Sequence, residues 1–224
     1  MKKVISFSLW GGDPRYTLGA LQNANLAKIV YPDWRCRFYV GTSVPNSIIE
    51  LLRQFNNVEV VSMLERGDWT GMFWRFLVAS DPEVEVAIIR DCDSRLWFRE
   101  KLAVDEWLLS NKDFHIMRDN PQHGIAILGG MWGVRNKLLY NMRNLIDSYT
   151  KGNYWQVDQN FLRDVIYPIV ADKAFVHDEF FEKKPFPYLR NEKHFVGQAY
   201  AGCGKILDQE ETFQQFVSEG FINV

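Results

Sequence analysis

Short apolar runs alternate with amphipathic stretches through the first ninety residues. Val4–Trp10 predicts a strand, closed by the turn residues Gly11-Gly12-Asp13-Pro14. A helix follows over 16–30, where Leu18, Leu21, Leu26, Ile29 and Val30 supply an apolar face. Tyr31-Pro32-Asp33 breaks it, Arg35–Val40 predicts a second strand, and Gly41 ends that strand. Thr42 or Ser43 is placed to cap the next helix, with Pro45 in its first turn and Ile48, Ile49, Leu51, Leu52 and Phe55 on its buried side. Val58–Val61 is a third strand, and Asp68 is a candidate N-cap for a helix over 69–79. The β-branched run Glu85–Ile89 is the fourth strand. Strand and helix in alternation predict an α/β domain with a mostly parallel sheet covered on both faces.

The second half is less regular. A helix is expected over 99–110, and strands at Phe114–Met117 and Ile125–Leu128. The glycine-containing segment Gly129–Gly133 is expected to bend, carrying Trp132. Helices are expected over 138–149 and 155–166, and a last strand at Ala174–His177. No linker, repeat or low-complexity stretch interrupts 1–224, which predicts one domain.

The fourth strand runs directly into Arg90-Asp91-Cys92-Asp93. Side chains at the carboxyl end of a strand in such a sheet project into the crevice where ligands bind. Two carboxylates there are hard oxygen donors suited to Mg²⁺ or Mn²⁺. The Asp-x-Asp spacing by itself is expected about once by chance in a chain this long, so its weight comes from its position after a buried strand.

Composition narrows the chemistry. With 47% hydrophobic and 24% charged residues the chain is an ordinary globular one, long enough at 224 residues for a sizeable core. A net charge of −2 gives no footprint for nucleic acid or an anionic membrane. Cys36, Cys92 and Cys203 are too scattered for a disulfide framework or zinc cluster, so a reducing, cytoplasmic setting is expected. The run Val4–Trp10 is too short for a signal peptide, and no run has membrane-spanning length. Gly11-Gly12-Asp13-Pro14 lacks the dinucleotide fingerprint. Gly202-Cys203-Gly204-Lys205 lacks the first glycine and the hydroxyl of a phosphate loop. No Gly-x-Ser-x-Gly elbow exists, and the four histidines show no metalloprotease spacing.

Trp74-Arg75-Phe76-Leu77 followed by Ile88–Asp93 resembles the donor-binding half of metal-dependent GT-A glycosyltransferases. Leu128–Gly133 is similar to the glycine-containing segment lining their sugar pocket. Trp155–Leu162 resembles the Asp-Gln helix start of retaining members, and His194-Phe195-Val196-Gly197 a segment of retaining galactosyltransferase-like enzymes. The string from Arg90 to Gly133 is also similar to small glycosyltransferase domains of bacterial surface-glycan clusters and large algal viruses. The resemblance implies a GT-A, Rossmann-like single domain with a nucleotide-binding half over about 1–95 and an acceptor-binding half over about 96–224.

It implies transfer of a hexose from a nucleoside diphosphate, a UDP-sugar such as UDP-glucose, to a glycan or glycoprotein acceptor, with retention of configuration. A divalent ion held by Asp91 and Asp93 would neutralise charge growing on the leaving phosphates. The third ligand is His177, at a strand end, or His194; the former is preferred because Gln198-Ala199-Tyr200 departs from the family's Lys-Pro-Trp. Donor contacts are expected from Ser8 and Trp10, from Arg75, Arg90 and Asp91, and from Gly130, Trp132 and Gln159. Arg75 carries a planar fork that fits phosphate, and Trp10 or Trp132 would stack on a base or sugar face. Asp158 is the candidate at the reacting carbon, with Asp119 as a second possible base. The chain could be one module of a larger glycan-assembly protein. A sugar-nucleotide pyrophosphorylase or a noncatalytic glycan-binding domain would share the fold. The first needs a longer glycine-rich loop after strand one, and the second has no use for clustered acids.

Overall fold

The computed structural model describes residues 1–135, 137–150, 152–190 and 194–207. Alternation along β1 (Lys2–Leu9) sets the layering. Ile5, Phe7 and Leu9 face one layer, where α1 (Pro14–Val30) and α2 (Asn46–Arg53) cover β2 (Arg35–Val40). Val4 faces the other, formed by a 3-10 run (Trp69–Ser80) and by helical segments from the second half. Ser6 and Ser8, on that same face, are buried polar residues.

β3 (Val58–Ser62), β4 (Val84–Ile89), β5 (Phe114–Arg118), β6 (Trp132–Arg135) and β7 (Ala174–Asp178) complete one seven-stranded sheet in the order β3-β2-β1-β4-β6-β5-β7. Its pairings are parallel except those of β6, which runs antiparallel to both β4 and β5. The chain leaves β1 toward β2 on one side and returns to β4 on the other. That reversal opens a crevice at the carboxyl ends of β1 and β4. Among the described residues no helix is long and apolar enough to cross a membrane.

Most predicted elements form, and the departures have physical causes. The helix expected over 69–79 is a 3-10 run, capped as expected by Asp68, which accepts from the Thr70 N–H at 2.8 Å. Twelve residues is long for this geometry. The hydroxyls of β1 offer its backbone other partners: Ser6 Oγ donates to the Arg75 carbonyl (2.7 Å), and Ser8 Oγ accepts from the Arg75 N–H (2.9 Å). Neither Thr42 nor Ser43 caps α2, whose N-cap is Pro45; Ser43 Oγ instead accepts from the Gly11 N–H.

The strand expected at Ile125–Leu128 does not form, and the expected bend is in part β6. Gly133 sits mid-strand because a Cβ there would lie 2.9 Å from the Trp107 ring of α3 (Phe98–Leu109), a close approach that glycine alone permits. Helix is shorter than expected around Met142–Ser148 (α4). The helix expected over 155–166 becomes α5 (Val157–Phe161), a π-turn (Leu162–Ile166) and α6 (Tyr167–Val170). Pro168 has no N–H for the Asp164 carbonyl, which accounts for the widened turn before it.

Candidate active site

The site is assembled where β4 ends. α1 presses on the loop that carries Asp91 and Asp93, and Gly19 makes this possible: a Cβ there would stand 2.1 Å from the Cys92 carbonyl oxygen. One turn on, the buried Asn23 donates to the Cys92 (3.3 Å) and Ser94 (2.9 Å) carbonyls and accepts from the Leu96 N–H at 3.1 Å. The loop backbone is thereby fixed on both of its hydrogen-bonding edges. From the carboxyl-terminal side, Tyr200 N–H donates to the Asp93 carbonyl at 2.8 Å.

Arg75, pinned by Ser6 and Ser8, reaches across β1 into this loop. Its Nη1 pairs with Asp91 Oδ1, and its Nη2 with Asp158 Oδ2 at 2.8 Å. Asp158 is buried at the start of α5, where its other oxygen accepts from the Gln159 N–H at 2.9 Å. Asp91 remains 41% exposed at its side chain. Gly129 and Gly130 close the cluster with bare backbone. A Cβ at Gly129 would lie 2.7 Å from both Arg75 Nη2 and Asp158 Oδ2, and one at Gly130 would lie 2.0 Å from Asp91 Oδ2. Asp93 turns to the other side, where Arg15 of α1 gives it Nε (2.8 Å) and Nη2 (2.6 Å).

Burial pushes the Asp158 carboxyl upward, against the pull of Arg75. Burial does the same to Asp93, opposed by Arg15 and reinforced by Asp91. Burial works against the charge on Arg75, but its two carboxylates more than offset this and hold it above its ordinary value. The cluster is therefore a set of ions, buried except at Asp91, that are stabilised largely by one another.

No family model and no curated protein matches the sequence. Among solved structures, a glycosyltransferase involved in the glycosylation of the major capsid of PBCV-1 superposes with a TM-score of 0.53 at 15% identity, over 81% of this chain and 84% of that one. A mannosyltransferase from Pyrobaculum calidifontis, solved with GDP-Man and Mn²⁺, gives 0.54 at 12% identity over 80% of this chain and 55% of its own. The chain has the GT-A fold. A 4-diphosphocytidyl-2C-methyl-D-erythritol synthase from Anaerococcus prevotii also superposes, at 0.50 and 12% identity over 86% and 94%. Likeness at this level is likeness of fold, and these molecules carry different chemistry on it.

On the GT-A scaffold the expected residues divide. Arg75, Asp91, Asp158, Gly130 and Gln159 come together as described, with Asp93 beside them. Trp10 stands half-buried at the end of β1, its ring 6.2 Å from that of Trp74 and against Gly67 and Gly71. Ser8 holds the Arg75 backbone and so positions the cluster.

Four expectations are corrected. Trp132 is fully buried in β6, stacked on Phe114 (5.3 Å) and packed on Phe76, with no face left for a base. Arg90 is buried on the α3 side, where its Nε donates to both oxygens of Glu100 at 3.3 Å while Tyr31 O–H donates to that carboxylate at 3.0 Å. Asp119 is sealed in a two-point pair with Arg99 (2.7 and 2.8 Å) and accepts from the Val196 N–H at 2.9 Å, so it has no solvent-facing oxygen to act as a base.

His177 has both ring nitrogens engaged, Nδ1 with His115 Nε2 (2.8 Å) and Nε2 with Glu106 (3.2 Å), which leaves no lone pair for a metal. His194 is the better placed of the two histidines. Its ring lies by Trp97 and 3.5 Å from the hydroxyl of Tyr200, the residue bonded to Asp93. Among the described residues no three His, Cys, Asp or Glu side chains are grouped as a ready-made metal site.

Sequence reasoning missed Gly19, Asn23 and Arg15. The first two carry a signal: a glycine inside a helical pattern, with an amide four residues on along the same face. Arg15 carries none, because a cation near a helix start reads as solvated surface.

Proposed function

We propose that the chain is a divalent-metal-dependent glycosyltransferase that moves a hexose from a nucleoside diphosphate, a UDP-sugar such as UDP-glucose, to a glycan or glycoprotein acceptor with retention of configuration. The observation that carries this reading is the Asp91–Arg75–Asp158 cluster at the carboxyl end of β4, walled by bare glycine backbone. Residues of about 1–95 would hold the nucleotide and those of about 96–224 the acceptor. The setting is cytoplasmic, and the chain could serve as a module of a larger glycan-assembly protein.

The donor set suits Mn²⁺ or Mg²⁺. Two carboxylates, one of them partly exposed, match ions commonly held by one or two carboxylates together with substrate phosphates. Asp91 and Asp93 would hold the ion, with His194 the candidate further ligand. When bound, the ion supplies neutralisation of the charge that grows on the departing diphosphate. Arg75 presents a planar donor fork to a phosphate or sugar hydroxyl while it fixes the orientation of Asp158. Asp158, oriented by Arg75 and the Gln159 N–H, would as a carboxylate stabilise positive charge at the sugar carbon. Trp10 offers a half-exposed ring at the nucleotide end.

The test is metal-dependent hydrolysis of a panel of nucleotide sugars, with Mn²⁺ and with chelator, on the full chain and on Asp158→Asn. Release of one nucleoside diphosphate that needs metal and falls at least about a hundredfold in the variant supports the reading. Release of pyrophosphate from a nucleoside triphosphate and a sugar phosphate would replace it with a pyrophosphorylase.

A further inference from the structure

A guanidinium taken out of water needs a counter-charge or a full set of acceptors. Arg37, Arg75, Arg90, Arg99 and Arg118 are buried, and each meets at least one carboxylate. Arg135 is half-buried and bonds the Leu108, Ser110 and Lys112 carbonyls at the end of α3, where a helix favours a cation. Arg95 has neither arrangement. It is half-buried in the loop that follows Asp93 and forms no ion pair among the described residues. Its Nη1 donates to the Cys92 (3.3 Å) and Ser94 (2.8 Å) carbonyls, and its guanidinium carbon lies 4.9 Å from the centre of the Tyr200 ring. Its Nη2 is buried with no hydrogen-bond partner among the described residues.

The surroundings of Arg95 suit a sugar. Trp97 and Tyr200 are half-buried aromatics beside it; the Trp97 ring lies by His194, and the Tyr200 hydroxyl is 3.5 Å from His194 Nδ1. All three come from the half of the chain assigned above to the acceptor, and Arg95 stands at its boundary. The diphosphate has Arg75 and the divalent ion as partners, so a further cation at this boundary fits a different anion. A carboxylate or phosphate oxygen arriving beside the Tyr200 ring gives Nη2 an acceptor and the guanidinium a counter-charge. The aromatic faces give the sugar ring apolar cover.

We infer that Arg95 anchors an acidic acceptor, a sugar that carries a carboxylate or a phosphate. This rests on the transferase reading above and adds to it the charge class of the acceptor and the residue that selects it. A neutral sugar leaves the guanidinium as it is, so the acid gains over its neutral counterpart by a charge-assisted hydrogen bond.

The experiment is a ligand-observed NMR titration of the full chain with Mg²⁺ and saturating UDP, GDP, ADP or CDP in turn. The probes are D-glucuronate, D-glucose 6-phosphate, D-glucose and inorganic phosphate, and the series is repeated for Arg95→Gln and Arg95→Lys. Far-UV circular dichroism verifies the fold of each variant. In the wild type one of the two sugar acids binds about tenfold or more tightly than glucose, and rising salt narrows the gap. Which acid it is tells a carboxylate acceptor from a phosphate one. In Arg95→Gln the advantage falls to about threefold or less, and Arg95→Lys, which keeps the charge but loses the fork, stands between. Sugar acids bound no more tightly than glucose in the wild type overturn the anchor, as does an undiminished advantage in a folded Arg95→Gln. Inorganic phosphate bound as tightly as either sugar acid makes the place a bare anion site and overturns the acceptor class. A loss of diphosphate affinity in Arg95→Gln as large as the loss for the acids assigns Arg95 to the donor and overturns the anchor, with the transferase reading intact. Failure of every diphosphate to bind the wild type overturns that reading itself and the anchor with it.

Discussion

Several buried arginines in this molecule each clasp two carboxylates, and two of them do opposite things. Arg75 holds Asp91 and Asp158; Arg99 holds Asp119 and Glu179. Around Arg99 the valences are filled: Asp119 takes two guanidinium nitrogens and the Val196 N–H, and a further nitrogen goes to the Tyr188 carbonyl. Phe186 covers the guanidinium at 4.3 Å. Around Arg75 the Nε has no hydrogen-bond partner among the described residues, one carboxylate is 41% exposed, and the neighbouring wall is glycine backbone. The same three groups form a staple where everything is satisfied and a site where something is left over.

The largest expected effect separates them by stability. Asp119→Asn leaves a buried guanidinium with the partly exposed Glu179 as its remaining carboxylate and should lower stability by up to about 3–5 kcal/mol, read as a lower urea midpoint with an unchanged slope. Asp91→Ala should leave the midpoint within about 1 kcal/mol, because that pair is partly solvated. Activity should reverse the order. Asp91→Ala is expected to lower metal-dependent sugar-nucleotide hydrolysis by about a hundredfold or more. Asp119→Asn, assayed on its folded fraction, should stay within a few fold of wild type. A large activity loss there with stability intact would break the comparison.

The next effect comes from histidines near the staple. Burial, with Arg190 adding to it and Asp178 opposing it, lowers His123 to about 4. His115 and His177 are also depressed, first by burial. A histidine whose folded value lies below its unfolded value of about 6.5 contributes stability that is fully present above that pH. The contribution is lost as pH falls from there toward the folded value. Thermal unfolding from pH 7 down to 4 should show a falling midpoint, and His123→Gln should flatten it.

A smaller effect sharpens the site itself. Ser8→Ala removes the acceptor of the buried Arg75 N–H and should destabilise by about 1–3 kcal/mol. A change in hydrolysis larger than the loss of folded protein would show that the serine also sets the angle of the guanidinium.

Much of this was legible in the chain because each signal was local. β1, β2, β4 and β5 are apolar runs, and Asp91, Asp93 and Asp158 stand at element ends where a crevice is expected. What escaped was set by partners far along the sequence. Gly133 looks like a bend residue until Trp107 is known to lie on it. Trp132, Arg90 and His177 were assigned to the site because their residue types suit it. Which way a strand or loop side chain points depends on strand order, and the order places β6 against β4 and β5.

The pairings that make the site span long stretches of chain. Arg15 meets Asp93 78 residues on, Arg75 meets Asp158 83 residues on, and Ser8 meets Arg75 67 residues on. Closing such loops costs entropy before any contact repays it, so interactions of this range are slow to form. A chain that has paired β1 with β2 but has not yet docked α5 would own most of its nucleotide half and none of Asp158. Ligand affinity is therefore a probe of completed folding in this molecule: a refolding experiment that follows nucleotide binding should lag one that follows strand formation.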